Sequence, residues 1–240
     1  MLIDFTVANY RSIKEPITLS MEADKAISGL EAESLITLPD GRKLLNAAAI
    51  YGANASGKSN LIKAISFMMN FINTSVEGSG ENLIEVEPFL LDDDNASASQ
   101  PSHFEITCLI EGVVYNYGFE TTQTEVTREW LYGSPAGRMT PFFEREGQKW
   151  TKISKQNFRE GMGLEDKTRP NALFISVVAQ FNRMFSRKFI SYIKKASRLL
   201  GWHPEVFSEM AGTKLIHKPE EFNEVANFLC VLDLRIKDLG

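Results

Sequence analysis

With 240 residues the chain is long enough for one large domain, or a core with a lobe, and too long for a disulfide-stapled miniprotein. Its 43% apolar and 24% charged residues are those of a folded soluble protein. The net charge of −5, from 26 Lys and Arg against 31 Asp and Glu, argues against a protein built wholly to coat nucleic acid. Cys108 and Cys230 show no zinc-type spacing with histidine, the opening MLIDFTVANY is not a signal peptide, and no apolar run approaches a bilayer span. No membrane association and a reducing cytoplasmic home are therefore expected. Charge is uneven along the chain. Between Lys63 and Arg128 there are eleven acids and no base, whereas from Lys167 to Arg198 there are eight bases and no acid.

In chain order, Leu2 to Val7 and Ile17 to Met21 alternate as strands do, joined by Asn9-Tyr10-Arg11-Ser12. A polar stretch follows, with a turn at Asp40-Gly41. The run Ala47 to Tyr51 predicts a buried strand. After Gly52-Ala53-Asn54-Ala55-Ser56-Gly57-Lys58-Ser59-Asn60, the residues Leu61, Ile62, Ala64, Ile65, Met68, Met69 and Ile72 recur at helical spacing. Residues 74–86 read as a loop, and 87–150 as strands. Among these, 103–110 and 113–121 flank a turn at Glu111-Gly112, with 126–132 and 141–144 beyond. Ala172 to Val178 predicts a buried strand. Arg183 to Leu200 predicts an amphipathic helix, and Pro219-Glu220-Glu221 starts another.

The strongest chemical signal is Gly52–Ser59, which fits G-x-x-x-x-G-K-[ST] at every fixed position between an expected strand and an expected helix. Gly52 and Gly57 let the backbone curl so that its N–H groups form an anion nest, and the following helix adds its positive end. Lys58 is placed to reach the β- and γ-phosphates, and Ser59 to supply a hydroxyl to Mg²⁺. No N-K-x-D guanine-reading motif occurs, which tilts the expected nucleotide to ATP.

Asn9-Tyr10-Arg11-Ser12, together with Tyr51 to Leu61, resembles the ABC-type ATPases of the AAA family, relatives of RecF, of the structural-maintenance-of-chromosomes heads and of the overcoming-lysogenization-defect ATPases. The segments 88–92, 104–106, 115–119 and 129–131 resemble the antiparallel lobe of a small bacterial branch found in defence and abortive-infection loci. The resemblance implies an α/β fold, a P-loop NTPase core with a mixed sheet around the loop, an antiparallel β lobe and a helical C-terminal part. It divides the 240-residue head into 1–73, 74–150 and 151–240. It also implies ATP and Mg²⁺ as ligands, with residues 52–60 (Gly52, Ala53, Asn54, Ala55, Ser56, Gly57, Lys58, Ser59 and Asn60) around the phosphates and Arg11 near the nucleotide.

Members of this group complete their sites with a Walker B strand, a signature motif and a switch histidine, and none of these is evident here. Phe89 to Asp93 and Leu229 to Asp233 only superficially resemble Walker B. An N-terminal half of a longer ATPase, paired head to head with a second copy and gating a nuclease or toxin, is the expectation. A non-catalytic nucleotide-binding module is the alternative, and a small-molecule P-loop kinase a weaker third. Gln180 reads either as the Mg²⁺- and water-sensing glutamine of such sites or as an ordinary polar residue at a strand end. Arg183, Arg187, Lys194 and Arg198 fall within a sector of roughly 60° on one helix face, a solvated stripe or a surface for DNA or RNA phosphates.

Overall fold

The computed structural model describes residues 1–24, 35–38, 40–92 and 96–198, with 195–198 as backbone only. The chain divides into a unit Met1–Ser197 and a second unit Arg198–Gly240, which, beyond its first residue, lies outside the described residues.

Seven strands form one antiparallel sheet. These are β1 (Leu2–Ala8), β2 (Ile17–Ser20), β5 (Ser102–Ile110), β6 (Val113–Thr121), β7 (Val126–Gly133), β8 (Thr140–Glu146) and β9 (Lys149–Ile153), in the order β2-β1-β5-β6-β7-β8-β9. Each strand from β5 to β9 pairs with the next, because short turns bring consecutive strands side by side. At Glu111 and Gly112 φ is 50° and 81°, the left-handed pair that a two-residue hairpin requires. β1 pairs directly with β5, so the N-terminal strands and the central lobe share one sheet.

β3 (Leu35–Thr37) and β4 (Lys43–Leu45) form a separate hairpin around the Asp40-Gly41 turn. Leu38 and Leu44 bury this hairpin against Ile3 and Val114 of the sheet. The sheets among the described residues are antiparallel, whereas a mixed sheet around the loop was the expectation.

One sheet face is the core. Ile3, Phe5 and Val7 of β1 alternate with half-exposed residues, as a strand covered on one side must. Helix α1 (Lys58–Thr74) lays Leu61, Ala64, Ile65, Met68, Met69, Phe71 and Ile72 on this face. The ring of Phe67 lies 4.9 Å from Phe104, and that of Phe71 lies 5.4 Å from Phe119. Each large side chain so buried contributes about 1.5–3 kcal/mol. Helices α2 (Phe174–Gln180) and α3 (Met184–Arg198) continue the layer, with Phe174 5.0 Å from Phe143 and Phe189 5.5 Å from Tyr117.

Two strand expectations are corrected. Ala172 to Val178 lies mostly in α2. A short apolar run cannot be told from a buried helix by pattern, and here a carboxylate in the sheet selects the helix. The Glu129 side chain accepts the Phe174 and Ile175 N–H groups at 2.7 and 3.2 Å, capping α2 from the middle of β7. Ala47 to Tyr51 is irregular and exposed, with Tyr51 90% accessible. A strand is a paired state, and no described strand runs beside this segment. The predicted helix from Arg183 is α3, and β9 and the β3–β4 hairpin had no sequence expectation.

Candidate functional site

The loop 52–57 curls at two left-handed residues, Ala55 (φ 63°) and Gly57 (φ 93°), and opens into α1. Gly52 acts differently. A Cβ there would stand 2.8 Å from the Ser56 hydroxyl, so its missing side chain makes room for the loop to close on itself. A Cβ on Gly57 would meet the Ser12 hydroxyl at 3.3 Å. Gly57 caps α1 with no side-chain hydrogen bond, and its carbonyl accepts the Asn60 and Leu61 N–H groups at 2.9 and 3.1 Å. The Lys58 ammonium donates to the carbonyls of Gly52 and Ala53 at 2.8 and 2.7 Å, so its charge lies over the loop. Ser59 is exposed on the first helical turn beside it. Asn54 is exposed in the turn, and the Ser56 N–H donates to the Ala53 carbonyl at 3.2 Å.

The turn after β1 reaches the same place. The Asn60 side chain donates to the Ser12 hydroxyl at 2.6 Å, joining the first turn of α1 to the β1–β2 connection. Arg11, itself left-handed at φ 51°, pairs with Glu87 through side chain and backbone, its N–H reaching the Glu87 carbonyl at 2.8 Å. Its guanidinium lies 5.7 Å from the Tyr10 ring centre, and its buried Nε has no hydrogen-bond partner. Burial raises the Tyr10 hydroxyl above its ordinary pKa. Arg11 was expected near the nucleotide; its chain neighbour Ser12 stands against Gly57 of the loop and bonds Asn60.

Sequence reasoning passed over Asn9 as part of a connection. Its side chain is a hub, donating to the carbonyls of Ser97 and Gln100 at 2.8 Å each and accepting the Phe89 N–H at 3.0 Å. Its carbonyl accepts the Ser102 hydroxyl at 2.5 Å. No local pattern encodes this, because the partners lie about ninety residues away. The Walker B look-alike Phe89 to Asp93 is irregular over its described residues. Asp92 is committed locally: Ser97 donates to it through hydroxyl and amide, and Lys14 stands 3.5 Å away. The Ser97 hydroxyl, chiefly, holds its carboxyl below the usual aspartate range.

A family model described as "AAA domain, putative AbiEii toxin, Type IV TA system" matches residues 47–229. The chain belongs to this AAA-domain family. The match runs from the segment before the loop through α1, β5–β9, α2 and α3, and it supports nucleotide binding and ATPase-type activity. A comparison with curated proteins gives no match.

In this AAA-domain chain the remaining predicted residues lie elsewhere. Gln180 is the exposed last residue of α2, where a position after a strand was expected. That helix is tied to the far end of α1, its Ser176 hydroxyl donating to the Ile72 carbonyl at 2.6 Å. Ile72 is about 21 Å along the axis from Lys58 at the usual helical rise. Arg183, Arg187 and Lys194 are exposed beside or on α3, whose Phe189 and Ile193 face the core. Arg198 ends the described helix. Leu229 to Asp233 lies outside the described residues. Among the described residues, no group of three or more His, Cys, Asp or Glu could hold a metal by itself. No described helix is long and apolar enough to cross a membrane.

Proposed function

We propose that this chain binds Mg-ATP through residues 52–60 and serves as the nucleotide-binding part of an ABC-type ATPase. The observation that carries this reading is the curled loop with the Lys58 ammonium over it at the open N-terminus of α1. The missing side chains of Gly52 and Gly57 let the loop close on itself and against Ser12, a curl that suits presentation of backbone N–H groups to phosphate oxygens. Ser59 would hold Mg²⁺ through its hydroxyl, and the ion would supply positive charge that neutralises the phosphates. The chain's own contribution is electrostatic. Backbone N–H groups and Lys58 stabilise negative charge that grows on the γ-phosphate as water attacks in line.

In this proposal hydrolysis requires groups beyond those described here, a Walker B carboxylate and a signature motif, supplied by a C-terminal half and a facing head. Gln180, on the helix tied to the far end of α1, takes no part in this site. Gating of a nuclease or toxin partner in phage defence or DNA repair is the proposed role; the family's description as a toxin–antitoxin domain supports its toxin–antitoxin side. The stripe of Arg183, Arg187 and Lys194, exposed, with Arg198 on the same helix face by spacing, is assigned to nucleic-acid phosphates, and the cytoplasm is the proposed location. A second reading, binding without turnover, is favoured by Asp92: the described acid closest to a Walker B pattern is engaged by Ser97 and Lys14.

Isothermal titration with Mg-ATP tests the first statement. Lys58→Ala is expected to weaken binding about 10- to 100-fold, the worth of a charge-assisted hydrogen bond. Undiminished affinity in that variant rejects the site. Steady-state phosphate release then separates the two readings, since tight binding without release identifies the non-catalytic module.

A further inference from the structure

A cavity of about 320 Å³ opens at the far end of α1, between its last turns and the loop that follows. Phe67 and Phe71, stacked at 5.7 Å between ring centres, line it together with Glu77, Leu83, Glu85 and Asn171. Thr74, also on its wall, is about 24 Å along the helix axis from Lys58 at the usual rise. We propose that this cavity is a binding site for a guanidinium cation, carried by an arginine side chain of another polypeptide or by a free small molecule. The inference is independent of the phosphate-loop reading.

Three observations carry it. The first is an unmet acceptor. Asn171 is 6% exposed, and its Nδ2 donates to the Ser79 and Asn82 carbonyls at 3.2 and 2.9 Å. Two carbonyl partners settle which end of the carboxamide is nitrogen. The Oδ1 at the other end is buried without a hydrogen-bond partner, a costly state that an N–H donor in the cavity relieves.

The second is charge. Glu77 and Glu85 are exposed, and among the described residues neither has an ion-pair partner. No Lys or Arg lies between Lys63 and Arg128, so no cation of this stretch meets them. Arg169 reaches the same loop, but its guanidinium is engaged on backbone. It donates to the Gly78 carbonyl at 2.7 Å and to those of Ser75 and Glu77 at 3.5 Å.

The third is the combination of groups. Phenyl rings, carboxylates and an amide oxygen in one cavity favour an organic cation over a hydrated metal ion or a neutral amide. A guanidinium is planar, weakly hydrated and rich in N–H donors, so it can rest on a ring while donating to an amide oxygen and a carboxylate. Leu83, 67% exposed, offers an apolar surface to the methylene stem behind it.

The test follows amide chemical shifts of the full chain during titration with three probes. These are the peptide acetyl-Gly-Arg-Gly-amide, its citrulline counterpart, which keeps the shape and lacks the charge, and n-butylguanidinium. The arginine peptide or n-butylguanidinium is expected to saturate with a Kd of about 1 mM or tighter, moving amides of residues 74–85 and leaving those of 52–59 in place. Tighter binding of the peptide supports a polypeptide source, and equal or tighter binding of the free cation a small-molecule one. The double change Glu77→Gln and Glu85→Gln, at two exposed positions, is expected to weaken binding about tenfold and to leave the melting temperature unchanged. The inference is overturned by a lack of saturation with either cation up to about 10 mM. Equal affinity for the arginine and citrulline peptides overturns it too, as does an affinity that the double variant does not change. Lys58→Ala, which tests the phosphate loop, is expected to leave this binding as it is, so the two readings fail separately.

Discussion

A side chain's absence can matter as much as its presence, as the two glycines of the loop illustrate. Gly57 sits at φ 93° with the Ser12 hydroxyl 3.3 Å from where its Cβ would be. Gly57→Ala is expected to cost about 1–2 kcal/mol in urea denaturation and to lower nucleotide affinity, since both backbone strain and a close contact follow. Gly52→Ala lacks the strain but places its methyl 2.8 Å from the Ser56 hydroxyl. That contact is on an exposed loop, so affinity for Mg-ATP is expected to fall with little change in folding stability. Deeper in the molecule, Arg145 and Glu129 are both fully buried and joined at 2.9 Å, and the Tyr117 hydroxyl donates to Glu129 at 3.1 Å. Burial, first of all, and the neighbouring Glu129 carboxylate raise the Tyr117 hydroxyl well above its ordinary pKa. Arg145→Met strands the Glu129 charge and is expected to destabilise by about 3–5 kcal/mol in denaturant unfolding.

Helices in this fold begin on carboxylates borrowed from elsewhere. Neither α2 nor α3 carries an acid in its own first turn. Glu129 supplies the negative end for α2, and Glu160 does so for α3, accepting the Phe185 and Ser186 N–H groups at 3.0 and 2.8 Å. Such a cap satisfies donors that the helix cannot and complements its dipole. Glu160→Ala is expected to cost about 1–2 kcal/mol and to raise amide hydrogen exchange over the first turns of α3, with α1 unaffected. Helix α1 is the exception. Its N-terminus has neither acid nor side-chain cap, and it alone carries the Lys58 loop. The helix that begins without an acid or a side-chain cap is the one proposed to present its amides to a nucleotide.

At the scale of the described fold, two carboxylates held by hydrogen bonds make stability depend on pH. Ser97 holds Asp92, and His103 holds Glu120, each below its usual range. A carboxyl lowered in the folded state contributes stability above its unfolded pKa and loses it as pH falls through the folded value. Stability is therefore expected to decline below about pH 4, with no such contribution lost toward neutral pH. The check is the melting temperature of wild type and Glu120→Gln across pH 2–7. The gap between them is expected to close on the acid side, and a gap that widens there contradicts the assignment.

Local pattern was enough for much of the fold and for the centre of the site. Period-two alternation marked β1 and β2, the Glu111-Gly112 pair marked the hairpin of β5 and β6, and G-x-x-x-x-G-K-S marked the loop, because each depends on neighbours a few residues apart. What could not be read locally was settled by partners far along the chain. Ala172 to Val178 is helical because Glu129, some forty-five residues earlier, caps it. Ala47 to Tyr51 is no strand because a strand needs a paired neighbour, and none of the described strands lies beside it. The Asn9–Phe89 and Arg11–Glu87 links form only when folding brings residues nearly eighty positions apart into hydrogen-bond range, at a loop-closure cost that only packing can offset.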